Sequence, residues 1–549
     1  MTRKSRKGFF LNTVILFAAM FITKGLGAVL KIPLANILGG EGMGYFTTAY
    51  SIFTPVLAFA CSGIPTIVTR SAAQAVAAGK YRELARVKHC ALMLSVCVGL
   101  AGTLLIFVSA VPFVCFIANS PDSLLSVLII APAVLFCSVT AVYRGYYEGL
   151  SDDLPTAISQ VTEAVVKAGA GIGLSYYVYL EGTNYFGSAE KALPYAAAAA
   201  ILGVSVSELC GTIFMLIRSR RKSDSYSDYY EKMKWGEVLG FSKDIFVQAL
   251  PVALGAAAAN LVTLADLLTV SNCINLSVNI FGGITINGTV FGDVSDPGNF
   301  MYGSYAGMVM SVYMLAAGAS GLVGRCALPR LSCAAVPENN SELASGLKLL
   351  FKGTAVLSAP VSVFLWVLSE PALRLLYPVR ETEVLVSIMP LKILSAGSIF
   401  AGLSGAVCMV FHAFGDFKFP VKSALIGGAV KLVLNAAFII IPSINISGAA
   451  ISMLITNIVC LIYEVYVMRR KFGIKTSVAR AAWKPVIAAL LSGAALYYFY
   501  NGLSAVLPLA AVIIISGILG CISYLLILIL IDSEDFTAVL GILKRSKCT

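Results

Sequence analysis

The sequence predicts an all-α integral membrane protein with about fourteen transmembrane helices. Three observations predict it. Of 549 residues, 58% are hydrophobic and only 12% are charged, about half the charged share of a soluble globular chain. The charges cluster between apolar runs, each long enough, at about 20 residues, to cross a bilayer as a helix. The basic residues fall in alternate loops: 32 of the 40 Lys and Arg lie on one side, 3 on the other and 5 within spans. A missed helix would scramble that split, so the split supports the even helix number as well as the class.

The first six spans cover about 9–38, 45–69, 89–112, 124–147, 155–180 and 193–217, with ends uncertain by a few residues. The next six cover about 241–270, 304–329, 351–369, 387–413, 420–441 and 448–468, and a final pair about 483–500 and 507–531. The N-terminus carries Arg3, Lys4, Arg6 and Lys7 before an apolar run from Phe9. That run exceeds signal-peptide length and has no clear small-residue cleavage site, so it is expected to be a retained first helix.

The side rich in Lys and Arg is expected to be cytoplasmic. It holds Arg70, Arg144, the 218–234 cluster, Arg330, Lys418 and the 469–484 cluster, and it places both termini in the cytoplasm. The loop at 271–303 has no Lys or Arg, carries Asp293 and Asp296, and is expected outside as a small hairpin or irregular cap.

The formal net charge of +12 therefore reads as positive-inside bias, with no nucleic acid as partner. The thirteen cysteines lie mostly inside apolar runs, no Cys-x-x-Cys pair occurs, and the two histidines are His89 and His412. Neither a disulfide framework nor a metal site is expected, and the cysteines read as packing residues. No phosphate-cradling loop, cofactor motif or nucleophile elbow occurs, so neither cofactor nor enzymatic chemistry is expected. Gly39, Gly40, Gly42 and Gly44 read as tight turns between spans, and Gly169, Gly171 and Gly173 as sites of close helix packing.

A weak internal repeat sets the organisation. Pro155 and Lys167 correspond to Pro420 and Lys431, Pro65 to Pro329, and Lys88 to Lys352, all at offsets near 265 residues. The offsets pair spans one to six with seven to twelve as a parallel repeat, leaving the last pair as an appendage. The expected division is an N-terminal lobe at 1–217, a cytoplasmic linker at 218–240, a C-terminal lobe at 241–470, and a helix pair with tail at 471–549.

Charges inside a bilayer are costly and usually face a cavity or a partner. Lys24 and Lys31 lie in span one, Glu163 and Lys167 in span five, Glu208 in six, Asp266 in seven, Lys392 in ten and Lys431 in eleven. Lys31 and Lys392 can also snorkel to an interface, and Glu163 and Lys167, four apart, can neutralise each other. The excess of lysine suits a cavity for an anion such as a phosphate or pyrophosphate. The candidate substrate-binding residues are Lys24, Lys31, Glu163, Lys167, Asp266 and Lys431.

Several stretches resemble the MOP superfamily, specifically its polysaccharide-exporter branch with the stage V sporulation protein B group and the MurJ-like lipid II flippases. They are Thr23-Lys24-Gly25, the run from Leu38 to Tyr45, Ser62-Gly63-Ile64-Pro65, the run from Tyr143 to Gly149, and Pro155 to Gln160 with Glu163. In the second half they are Pro251-Val252 with Asp266, Lys431 to Asn435, and Gly448 to Ser452. The resemblance covers about residues 9–470. It implies two pseudo-symmetric six-helix lobes arranged as a V plus two C-terminal helices. It also implies a flippase for an undecaprenyl-pyrophosphate-linked sugar, lipid II or a related polysaccharide precursor, in the bacterial cytoplasmic membrane. Lys24 matches a basic cavity residue of the lipid II flippases. The stretch from Phe411 to Asp416 departs from their usual Gln-Gly-x-Gly pattern, and no counterpart of their second-helix basic residue is present.

The implied partners are the lipid-linked oligosaccharide, membrane lipids and cell-envelope assembly proteins. Three other readings compete. A cation-coupled multidrug exporter of the same superfamily would favour an acidic cavity. A membrane-embedded glycosyltransferase or polymerase would need a large outer loop with catalytic carboxylates or arginines. The fourth reading is a non-transporting scaffold of envelope assembly.

Overall fold

The computed structural model describes residues 3–221, 235–281, 284–286, 289–291, 296–317, 340–416, 418–473 and 477–531. Side chains are described throughout these stretches except at 3–22, 24, 28, 221, 259, 261–263, 284–286, 289–291, 316–317, 340–343 and 345. Apart from one short hairpin the regular structure is helical.

The chain opens with α1 (Arg3–Ala77), α2 (Tyr81–Pro112), α3 (Leu124–Ile130), α4 (Ala133–Gly149), α5 (Leu154–Phe186), α6 (Ala189–Arg221) and α7 (Trp235–Phe281). The hairpin follows, β1 (Ile284–Ile286) antiparallel to β2 (Thr289–Phe291), with Ile284 opposite Phe291. Then come α8 (Pro297–Gly303), α9 (Met310–Ala317), α10 (Asn340–Val367), α11 (Ser369–Leu376), α12 (Glu381–Ala413), α13 (Lys418–Ile439), α14 (Ser447–Phe472), α15 (Val478–Ser504) and α16 (Leu509–Ile531).

Among the described residues, twelve stretches are long and apolar enough to cross a membrane. Their number is compatible with fourteen spans. The helix α1 is two helices joined at Gly39, where φ is 65° and ψ −168°. The single helix α7 contributes two of the twelve stretches. The helix α5 is 33 residues long but carries Glu163 and Lys167, and the α8–α9 segment continues into residues outside those described.

Two expectations at the spans' ends are corrected. Of Gly39, Gly40, Gly42 and Gly44, only Gly39 leaves the helix, taking a positive φ that costs glycine nothing. The others continue it and serve close packing: a side chain at Gly40 would strike the Phe300 carbonyl, and one at Gly44 would strike Asn299. Asn299 is held there by donating to the Glu41 carbonyl at 2.8 Å. The expected loop at 271–303 is also shorter, because α7 runs on to Phe281. At its far end the Asp296 carboxylate accepts from the Asn299 amide at 3.0 Å and caps α8. The hairpin lies within the expected segment, and Asp293 lies outside the described residues.

The chain forms two compact units, Met1–Asn272 with Ser295–Gly307, and Cys273–Val294 with Met308–Thr549. The division falls inside α7 rather than at the expected linker, 218–240. The cause is packing: Val238, Ile245 and Ala249 on the first part of α7 join a buried cluster with Ile64, Val68, Ala91 and Tyr146. Gly63 lets α1 approach the Ala249 carbonyl too closely for any side chain. The last part of α7 belongs to the second unit, where Ser277 donates to the Ile440 carbonyl at 3.0 Å.

In the second unit Phe351, Ala355, Val407 and Phe411 form a core with Ala488, Ala489 and Tyr524. The C-terminal pair, α15 and α16, therefore packs on α10, and the Tyr524 hydroxyl donates to the Val356 carbonyl at 2.9 Å. Large apolar side chains such as Leu104, Val108, Ile514 and Leu530 are exposed, as expected for helix faces whose solvent is lipid.

In the first unit α5 and α6 pack at three levels. Gly182 lies against Ala192, Gly171 against Gly203, and Gly211 against Glu163. Of the three glycines expected to mark close packing, Gly171 does so, while Gly169 and Gly173 have open space where a side chain would stand. A side chain at Gly203 would collide with the Gly171 backbone, so Gly203→Leu should cost about 1–3 kcal/mol or more by overpacking. It should lower the melting temperature of the detergent-purified protein, whereas Gly173→Leu should leave it nearly unchanged. Equal melting temperatures for the two variants would contradict this packing.

Candidate functional site

The tight connection between α4 and α5 sets the register of the site. Gly149 and Leu150 close α4, Ser151 takes a positive φ of 58°, and Pro155 stands in the first turn of α5, where its missing amide donor is harmless. Arg144 lies five residues before the end of α4, and Ser159 five residues after the start of α5. An antiparallel pair joined by so short a link brings them level. Glu163 and Lys167 follow Ser159 at four-residue steps, so the three share one face of α5.

The charges on this face pair across helices. Arg144 Nη2 lies 2.6 Å from Glu163 Oε1 and donates to Ser159 Oγ at 2.8 Å. Lys167 Nζ lies 3.0 Å from Glu208 Oε1 on α6. The result is a ladder of alternating sign through α4, α5 and α6. The intrahelical Glu163–Lys167 neutralisation is not made, because each side chain has a better-aligned partner on a neighbouring helix. Gly211 makes room for the ladder: a side chain there would occupy the position of the Glu163 carboxylate.

The sequence motifs gain physical roles here. In the run from Tyr143 to Gly149, Gly145 lies against the Pro65 carbonyl and Gly149 against that of Thr69. Thr69 Oγ1 donates to the Gly145 carbonyl at 3.0 Å, and Lys88 Nζ stands 4.6 Å above the Tyr146 ring. Arg144 itself, expected in a loop, is inside α4 and turned onto α5. The helix reaches Gly149, and Glu163 supplies the charge that makes burial tolerable.

Two cavities adjoin the ladder and share Glu163. One, about 230 Å³, is lined by Thr23, Gly27, Gln160, Glu163 and Lys167 among others. The other, about 360 Å³, is lined by Cys61, Cys137, Arg144, Glu148, Glu163 and Glu208 among others. The smaller cavity thus abuts the Thr23-Lys24-Gly25 stretch. The Lys24 side chain lies outside the described residues.

The remaining candidates are dispersed. Lys31 is half-buried on α1 and outside both linings. Asp266 is half-buried on α7 in the first unit, within electrostatic reach of the Tyr302 hydroxyl. Lys431 is buried in the second unit, thirteen residues after the start of α13, as Lys167 is after the start of α5. This equal spacing supports the repeat. Lys392, placed between a cavity and an interface by the sequence, stands 5.8 Å above the Trp366 ring.

Three residues escaped the sequence reading. Arg144 sat too near a span's end, and Gly211 was one glycine among 48. Glu464 lay close to the basic cluster that ends span twelve, yet it is buried inside α14. Among the described residues no group of His, Cys, Asp and Glu is arranged to hold a metal ion.

Residues 9–335 match the family model described as polysaccharide biosynthesis protein, and residues 288–516 match the one described as lipid II flippase MurJ. The chain is similar to the stage V sporulation protein B of Bacillus subtilis (strain 168), 23% identical over 547 residues, covering 97% of this chain and 98% of that protein. It is 21% identical over 533 residues to the lipid II flippase MurJ of the same organism, covering 94% of each. A solved structure of a lipid II flippase MurJ in an inward closed conformation aligns with a TM-score of 0.68 at 16% identity, covering 95% of this chain and 100% of that one. That likeness is one of fold.

Removing one member of a buried ion pair strands the other, at a cost of about 3–5 kcal/mol. Arg144→Gln and Glu163→Gln should each lower thermal stability in detergent, and the double variant should recover most of the loss. Additive losses in the double variant would show that the pair is not coupled.

Proposed function

This chain belongs to the polysaccharide biosynthesis protein family of the MOP superfamily, and on that premise we propose that it flips an undecaprenyl-pyrophosphate-linked sugar intermediate across the bacterial cytoplasmic membrane. The observation that carries the proposal is a charged cavity among apolar membrane-crossing helices, lined by Glu163 and Lys167 beside the Thr23–Gly27 turn of α1. A cavity of this kind is costly in lipid unless a polar cargo passes through it. The reading is transport by alternating access, with no bond made or broken.

In this reading Lys24 draws the pyrophosphate, Lys167 borders its path, and Glu163 accepts from sugar hydroxyls. Asp266 is a further polar point along the route. The cargo is lipid II or a related polysaccharide precursor, its tail stays with the membrane lipids, and cell-envelope assembly proteins supply or receive it. Both termini lie in the cytoplasm, following the side that holds 32 of the 40 basic residues.

Two experiments test these points. Lys24→Ala should abolish flipping of the lipid-linked precursor in reconstituted vesicles while protein levels stay near normal. Lys24→Arg should keep part of the activity, since charge survives and only hydrogen-bond geometry changes, and Lys24→Glu should do at least as much damage as alanine. Normal flipping by a stably expressed Lys24→Ala protein would remove Lys24 from the cavity. For topology, single cysteines introduced at 218–234 and 469–475 should label only from the cytoplasm and one at Asp293 only from outside. Labelling of the first two segments from opposite faces would break the assignment.

A further inference from the structure

The second unit contains a carboxylate with an environment unlike the ladder's. Glu464 on α14 is 2% exposed. Its Oε2 accepts from Ser404 Oγ of α12 at 2.7 Å. Its Oε1 accepts from Ser423 Oγ of α13 at 2.7 Å and lies 3.4 Å from the Cys408 thiol of α12. Three helices thus converge on one acid through neutral donors only. Among the described residues no Lys, Arg or His pairs with it, whereas Glu163 and Glu208 each have a cation.

A buried carboxylate without a counter-charge is expensive in a protein interior, and more so in a segment that crosses lipid. Something must offset it, and the surrounding atoms indicate what. The titratable groups that face it are thiols, Cys408 from α12 and Cys460 from its own helix. From α13 it meets the hydroxyl of Ser423, while the adjacent Lys422 is exposed. Hard metal cations take many oxygen ligands, and here a thiol occupies one of the three places. A serine hydroxyl can both donate and accept. One rotation of Ser404 or Ser423 therefore turns the shell from one that receives a carboxylate into one that receives a carboxylic acid, with no helix movement.

We infer that Glu464, with Ser404, Ser423 and Cys408, forms an exchangeable proton-binding site inside the second unit. Resting on the flippase reading, the site is where a proton gradient acts on transport. The proton binds a carboxylate oxygen and leaves by the same route reversed, so no other reactant is needed. The shell comes from α12 and α13 and the acid from α14, so taking up or losing the proton changes what joins the three helices.

Infrared difference spectroscopy on the full-length protein in vesicles tests the site independently of transport. Titration with acid should reveal a carbonyl-stretch band of a protonated carboxyl that is missing from Glu464→Gln and unaltered by sodium or lithium chloride. In Ser423→Ala, which keeps the acid and removes one donor, the band should persist and move to higher frequency. A band unaffected by both substitutions, or one abolished by either salt, would overturn the proposal. The coupling arm is separate: Glu464→Gln should make flipping, or whatever transport the wild type shows, insensitive to an imposed pH gradient. A wild type that flips no lipid-linked sugar yet shows the Glu464 band would refute the flippase reading and leave the proton site standing. An unaltered gradient response in Glu464→Gln would refute the coupling.

Discussion

A charge carried by a helix that crosses lipid has to be offset within the protein, and the first unit is organised around offsetting its charges in opposite pairs. Arg144, Glu163, Lys167 and Glu208 come from three helices, and each is placed by something other than its own charge. The short connection after Gly149 levels α4 with α5. Four-residue spacing puts Ser159, Glu163 and Lys167 on one face. Small residues allow α6 to come close enough for Glu208 to reach Lys167. Packing between helices in lipid relies on such close approach, because lipid tails are as apolar as the side chains they would compete with. The glycines and the ion pairs are therefore one device: a bulkier residue at Gly211 would evict the Glu163 carboxylate and strand Arg144.

Close packing also accounts for the boundary between the compact units. The sequence placed the boundary at 218–240, after the end of α6 at Arg221. Yet α7 is continuous from Trp235 to Phe281, and its first turns are more useful as a wall of the first unit, where Ile245 and Ala249 are buried. Packing, not chain connectivity, decides which unit a helix serves. The segment at Ser295–Gly307 returns to the first unit for a similar reason. Asn299 and Gly303 fit against Gly40 and Gly44, and the Tyr302 hydroxyl reaches Ser51 at 2.8 Å.

The class of the fold was legible because apolar length and basic-residue placement are local properties that survive without any tertiary information. The hairpin near residues 284–291 was one of the two forms expected for the Gly- and Thr-rich 271–303 segment, which lacks Lys and Arg. The sign of φ was not legible. Gly39, Gly40, Gly42 and Gly44 look alike in the sequence, and only tertiary contacts, Gly40 and Gly44 with the 299–304 segment and Gly42 with Leu193, distinguish the three that pack from the one that bends. The site was half legible. Spacing placed Glu163 and Lys167 on one face, but which partner each takes depends on the register of α4 and α6, which spacing along α5 does not contain. Arg144 could have been found by counting five residues to either side of the 149–154 turn. Glu464 had no such handle. Its donors are serines and a cysteine, residues that a sequence offers in quantity and that gain meaning only when three helices bring them together.

The balance of charge in the ladder bears on what could bind beside it. Two cations and two anions sum to zero, so the ladder alone has no net pull on an anion. The surplus has to come from α1. No Asp or Glu precedes Glu41 in the chain, while Lys24 and Lys31 lie in that same helix. On the proposed reading an anionic head group would sit toward α1, away from the Glu163 carboxylate that lines the smaller cavity. A free phosphate has no group to offer that carboxylate. A sugar joined to a pyrophosphate does: its hydroxyls can donate to Glu163, and in the proposed reading its phosphates are the part drawn toward α1. The asymmetry, positive on α1 and neutral on the ladder, is thus better matched to a molecule that is itself charged at one end and hydroxylated at the other.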